Sequence, residues 1–141
     1  CNDPKIPLSK ELSFLENFIE LETLRLYENQ TELVFDIHHA SAQHSTIAPF
    51  MLLPFVENAF KHVSKGKEHT NFIKMHLAIT DHKTLEMCIE NSKSNESTTD
   101  AWGIGLKNVQ RRLNLIYPDK HRLHIDSDSQ NFKIALSVDL K

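Results

Sequence analysis

Cysteine is scarce in this chain. Cys1 and Cys88 are the only two, too few for a disulfide framework. Cys88 sits in a strand-like pattern and reads as a small buried or half-buried side chain. Basic runs are missing as well. The net charge is −3 and no dense Lys/Arg segment occurs, which argues against a nucleic-acid or acidic-lipid footprint. No apolar run is long enough to span a bilayer, and no secretory leader is visible. Zinc-type Cys/His spacing is absent, and so is the Gly-x-Ser-x-Gly elbow of serine hydrolases. Glycine numbers three in 141 residues, and two of those stand close together at Gly103 and Gly105. The chain opens on Cys-Asn-Asp-Pro with no initiator methionine, as an excised piece of a larger protein would.

What remains has the apolar, charged and aromatic fractions of a soluble globular protein, long enough for one domain with one core. Residues 1–8 carry Pro4 and Pro7 and read as an extended lead-in. Ser9 is placed to cap a helix whose stripe is Leu12, Leu15, Phe18, Ile19 and Leu26, widened by Phe14 and Leu21, with Glu11 favourable in the first turn. That helix should run to about Tyr27 and end near Asn29. Leu33, Phe35 and Ile37 alternate as a strand, and residues 38–46 read as a polar loop. Pro49 suits the first turn of a second helix, and Pro54 either kinks that helix or restarts it. It should stop near Ser64-Lys65-Gly66. Ile73, Met75, Leu77 and Ile79, then Leu85, Met87 and Ile89, form a hairpin pattern turning at Asp81-His82. Residues 90–102 are polar and aperiodic, which is a mobile surface loop or a lid. A third helix opens at Gly103, faces Leu106, Val109, Leu113 and Ile116 inward, and ends at Pro118. Two strands close the chain, His121 to Ile125 and Phe132 to Leu140. Five strands with one apolar face can be covered by three helices, which predicts a two-layer α/β sandwich.

The stretch from Leu52 to Val63 carries the most chemistry. At about 100° per residue, Val56, Ala59, Phe60 and Val63 share one arc. Glu57, Asn58, Lys61 and His62 share the other. A solvated outer face explains such a pattern without any function. Yet a carboxylate, an amide, an ammonium and an imidazole are also the groups that hold a metal ion and a polyphosphate. The Gly103-Ile104-Gly105-Leu106 segment adds weight to that second reading. Glycines at a helix start let a ligand approach backbone N–H groups and the positive end of the helix dipole.

In order along the chain, Leu8-Ser-Lys-Glu-Leu12 with Leu21-Glu-Thr-Leu-Arg25, then Glu57-Asn-Ala-Phe-Lys-His62, then Gly103-Ile-Gly-Leu-Lys-Asn-Val-Gln-Arg-Arg-Leu-Asn-Leu-Ile-Tyr117, resemble the LytS-like branch of sensor histidine kinases. The second segment is similar to the N-box and the third to the second glycine box. The resemblance covers almost the whole chain. It implies the Bergerat (GHKL) ATP-binding fold, with a mixed, mostly antiparallel five-stranded sheet and about three helices on one face. Residues 1–30 would be the lead-in and the helix continuing from a missing phosphoacceptor region, and residues 31–141 the ATP-binding domain. Asn58 would ligate Mg²⁺ bridging the phosphates of ATP, and Glu57 would act in catalysis by polarising the nucleophile or a metal-bound water. Lys61 and His62 would steady phosphate charge, while Gly103, Ile104, Gly105 and Leu106 would close over it.

Asn91 stands where the family reads adenine with an aspartate, and Lys93 where it has a glycine. An asparagine oxygen still accepts a hydrogen bond from the adenine amino group, without charge assistance. Gln130-Asn131-Phe132 stands where the family has Gly-Thr. None of the nine histidines has the Pro-His-Phe context of the family's phosphoacceptor, so the acceptor is expected upstream of Cys1. Two functions follow. One is the ATP-dependent kinase domain of a homodimeric, membrane-anchored sensor, facing the cytoplasm and passing phosphate to a response regulator of the LytTR type. The other is a degenerate GHKL scaffold with weak or no ATP binding.

Overall fold

The computed structural model describes residues 4–26, 31–38, 44–64, 70–93 and 104–141. Three helices lie on one face of a five-stranded sheet. The elements are β1 (Ile6–Pro7), α1 (Leu8–Leu26), β2 (Glu32–Ile37), β3 (Thr46–Ile47), α2 (Leu53–His62), β4 (Phe72–Ile79), β5 (Thr84–Ser92), α3 (Ile104–Ile116), β6 (His121–Ser127) and β7 (Asn131–Asp139). The sheet order is β2-β4-β5-β7-β6. β2 runs parallel to β4, and the other neighbours are antiparallel. This is the two-layer sandwich that the residue pattern predicts, with the mixed sheet that the resemblance implies.

Period-two alternation decides which face each strand buries. Ile73, Met75, Leu77 and Ile79 of β4, Leu85, Met87 and Ile89 of β5, and Phe132, Ile134, Leu136 and Val138 of β7 all point into one core. The helices meet them with Leu12 and Leu15, with Phe55, Val56 and Ala59, and with Leu106, Val109 and Leu113. Each such buried side chain contributes about 2 kcal/mol. The opposite face of the sheet is wet: Lys74 and His76 on β4 and Asp36 on β2 are exposed.

Several expectations need correction. Ser9 does not cap α1. The helix already begins at Leu8, because the Leu8 N–H bonds to the Ser45 carbonyl at 2.8 Å. Leu21 does not widen the buried stripe; it is 64% exposed. The lead-in and the loop before Pro49 pair with each other, Ile6 with Ile47 and Pro7 with Thr46. Pro49 lies in a turn rather than in a helix, and Pro54 opens α2, so restarting rather than kinking is the outcome. The expected ends at Asn29 and Gly66, the polar segment 94–102 and Gly103 lie outside the described residues.

The turn from Ala48 to Leu52 sets where α2 begins, and three side chains hold it. Glu11 of α1 is buried, and its carboxylate accepts the N–H groups of Phe50 and Leu52, each at 3.0 Å. Arg112 of α3 donates to the carbonyls of Pro49 and Phe50, at 2.7 and 3.2 Å. Tyr117, also buried, accepts the Ala48 N–H on its hydroxyl oxygen at 3.0 Å. Phe50 sits at φ 56°, a left-handed conformation that costs a bulky residue about 1 kcal/mol or more. The clamp on its own N–H and carbonyl keeps it there.

Candidate functional site

A cleft of about 650 Å³ opens where the three helices converge. α2 supplies Glu57, Asn58, Lys61 and His62, α3 supplies Ile104, Gly105 and Leu106, and α1 supplies Phe18, Glu22 and Arg25. The polar arc of α2 and the start of α3 therefore face one space. That volume lies within the usual range for small-molecule sites.

The side chains of α2 are not equivalent. Glu57 and Lys61 are exposed on the rim, whereas Asn58 is buried. The Asn58 Nδ2 has no hydrogen-bond partner among the described residues. A buried amide donor without a partner costs about 1–3 kcal/mol, so a purely solvated face does not account for this residue. Phe60 packs edge-on against Phe18 of α1 and stacks on Phe35 of β2, both with centroids 5.9 Å apart, which draws α2 onto α1 and the sheet.

His62 is half-buried, and its pKa is lowered, first by desolvation and then by the Lys61 ammonium beside it. At neutral pH it is an uncharged imidazole that offers an N–H or a lone pair. The charge on that flank comes from Lys61 and, across the cleft, from Arg25, which pairs with Glu22 at 3.5 Å.

At the start of α3, Gly105 explains itself by what is missing around it. Among the described residues, a Cβ placed there meets nothing within 4 Å, and the residue has no left-handed φ. Neither packing against the described residues nor backbone geometry requires glycine at this point. Gly103 lies outside the described residues. Ile104 is 80% exposed and Leu106 is buried, so only the latter anchors the helix start.

Asn91 is on β5, 1% exposed, and its Nδ2 donates to the Ser92 carbonyl at 2.9 Å. It does not line the described cleft. Beside it, the Ser92 hydroxyl lies 2.7 Å from that of Ser64, accepts the Phe72 N–H at 2.9 Å, and so ties the end of α2 to β4 and β5. Lys93 turns away, donating to the Ser127 hydroxyl at 2.7 Å. Phe18, Glu22 and Arg25 were not singled out as site residues by sequence reasoning. Leu21–Arg25 marked a resemblance only, since nothing local shows which way an exposed helix end faces.

No family model matches the chain. The sensor protein LytS of Staphylococcus saprophyticus is 29% identical over 148 residues, covering 94% of this chain and 24% of its own length. Among solved structures, the histidine kinase domain from the Erythrobacter litoralis blue-light activated histidine kinase superposes with TM-score 0.64 at 11% identity, over 96% of this chain and 62% of that one. The catalytic domain of the histidine kinase ThkA gives 0.63 at 12% identity, over 97% and 95%. The chain is homologous to the LytS sensor proteins and has the fold of histidine kinase ATP-binding domains. It spans about a quarter of the length of the curated LytS relatives it matches.

Proposed function

We propose that this LytS homologue binds Mg-ATP in the cleft between α2 and α3 and serves as the phosphoryl-donating domain of a sensor histidine kinase. The observation that carries the reading is that Asn58, a buried amide whose Nδ2 finds no hydrogen-bond partner among the described residues, lines the same cleft as Gly105 at the start of α3. An amide offers both an N–H donor and an oxygen acceptor, and a magnesium ion prefers oxygen ligands while keeping several waters. The Asn58 side-chain oxygen would hold that ion, which would neutralise phosphate charge.

The chain's own residues supply positioning and electrostatics, on which phosphoryl transfer chiefly depends. Lys61 and Arg25 place positive charge along the cleft, and the first N–H groups of α3 point at whatever anion lies before them. Glu57, exposed on the rim, would polarise an incoming nucleophile. By the resemblance Asn91 would accept a hydrogen bond from adenine, although it does not line the described cleft. Ile104 and Leu106 flank Gly105, and Gly103 extends the same segment.

The phosphate would pass to a histidine upstream, on a helix continuing from residues 1–30, with residues 31–141 as the nucleotide domain. The parent would be a homodimeric, membrane-anchored sensor with this domain in the cytoplasm and a LytTR-type response regulator as its partner. Among the described residues no helix is long and apolar enough to cross a membrane.

Thermal unfolding tests the reading. Ligand binding to the folded state alone raises stability by RT ln(1 + [L]/Kd), about 2.7 kcal/mol at a hundredfold excess over Kd. Mg-ATP should raise the melting temperature of the wild type, and Asn58→Ala should lose that rise while melting normally without ligand. A melting curve unmoved by millimolar Mg-ATP would leave the scaffold reading in its place.

A further inference from the structure

The helix-free face of the sheet carries a second constellation, on the other side from the nucleotide cleft. Asp36 and His38 are two residues apart along β2 and its extension, so they project from the same face. His38 continues the ladder beyond β2, its N–H bonding to the Leu77 carbonyl at 3.0 Å. His76 is the register partner of Asp36 on the parallel neighbour β4. Three ligand-type side chains thus converge. The Asp36 carboxylate lies 2.9 Å from His76 Nδ1 and 3.2 Å from His38 Nε2, and the two imidazole rings meet edge-on with centroids 5.1 Å apart. One nitrogen or oxygen from each residue lies within 4.8 Å of the other two.

We propose that Asp36, His38 and His76 form a binding site for a borderline divalent transition-metal ion, with zinc as its representative. Two imidazoles and a carboxylate suit that class of ion, whereas magnesium and calcium prefer all-oxygen sets. Zinc holds nitrogen and oxygen ligands at about 2.0–2.2 Å, so ligand atoms around a tetrahedral ion lie about 3.3 Å apart. Two of the three edges are already near that length. The ion takes the place of the protons now shared between the carboxylate and the rings, and water completes its coordination. All three residues are more than half exposed, so the ion reaches them without any opening of the fold. The nearby cation does not compete, since the Lys74 ammonium lies over the Phe72 ring, 5.2 Å from its centroid.

Calorimetric titration of the 141-residue chain with zinc chloride, without nucleotide, is the test. One equivalent should bind. Asp36→Asn and His76→Ala should each weaken it at least tenfold, and His124→Ala, on the same face but beyond β5 and β7, should leave it unchanged within twofold. Undiminished affinity in both site variants would overturn the proposal, as would a loss that follows His124→Ala instead. Should a variant melt early, the wild type decides. Zinc must then shift the imidazole resonances of His38 and His76 ahead of those of the other histidines; shifts led by any other pair overturn the site.

Discussion

The two ends of α2 are built on opposite principles. At its entry, the Phe50 and Leu52 N–H groups, the Pro49 and Phe50 carbonyls and the Ala48 N–H all end on buried or half-buried side chains from α1, α3 and Tyr117 just after it. A few residues later, Asn58 is buried with its Nδ2 unpartnered, and Glu57 and Lys61 extend into a cleft. The entry spends polar groups on fixing the helix, and the later turns withhold theirs. That contrast separates a frame from a binding surface. Substitutions at the entry should cost stability and reach ligand binding only through it. Substitutions on the polar arc beyond Val56 should do the reverse.

The largest effect expected from the frame is at Glu11. Removing its carboxylate strands two backbone N–H groups, each worth about 1–3 kcal/mol when left unpaired. Glu11→Ala should lower the free energy of unfolding by about 3 kcal/mol in a denaturant titration. Glu11→Gln, which keeps one acceptor oxygen, should lose roughly half as much. A loss under about 1 kcal/mol in Glu11→Ala would mean that the turn holds itself, and the contrast between the two ends of α2 would fail.

A smaller loss is expected one step along the same clamp. Tyr117→Phe preserves the ring but removes the acceptor for the buried Ala48 N–H, an unpaired-donor penalty of about 1–2 kcal/mol. Burial raises the tyrosine pKa, so the hydroxyl stays neutral through the physiological range and this cost should not vary between pH 6 and 8. Denaturant midpoints at those two pH values check both statements. A Tyr117→Phe penalty that changes with pH would show a titrating partner where none is proposed.

These residues also mark how far the sequence could be read. Strand alternation exposes one face at a time, so the hairpin β4–β5, the final strand and the sandwich were legible from Ile73 to Val138. The two-residue pairs β1 and β3 are too short to alternate at all. Glu11 looks like a dipole partner in the first turn of its own helix. Its actual partners lie 39 and 41 residues away, and no local pattern encodes such a distance. Asn58 was legible as a member of a polar arc, but its burial where the three helices converge is tertiary. Arg112 and Tyr117 were legible only as letters of a resemblance; the structure gives them work at the turn before α2. The Asp36, His38 and His76 cluster escaped for a related reason. Its members belong to two strands whose parallel register no spacing rule reveals, and a search for zinc-type spacing along the chain passes over them.

The smallest effect tests the open end of α2. His62 has its pKa lowered in the folded state, chiefly by burial, with Lys61 adding repulsion. Its unfolded counterpart titrates near 6.5. As pH falls through that value the unfolded chain takes up a proton that the folded chain still refuses, so stability declines. The decline stops once pH passes the lower folded pKa and both states are protonated. His62→Asn carries no such proton, and subtracting its stability curve from that of the wild type cancels every other titrating group. Between pH 7.5 and 5 the wild type should therefore lose more stability than His62→Asn, by a small margin because the ring is only half-buried and solvent screens it. The opposite sign, with the wild type gaining on acidification relative to His62→Asn, would mean that an acidic partner such as Glu57 holds the imidazolium. The flank of the cleft would then offer a salt-bridged pair to a ligand, rather than a neutral ring beside the Lys61 ammonium.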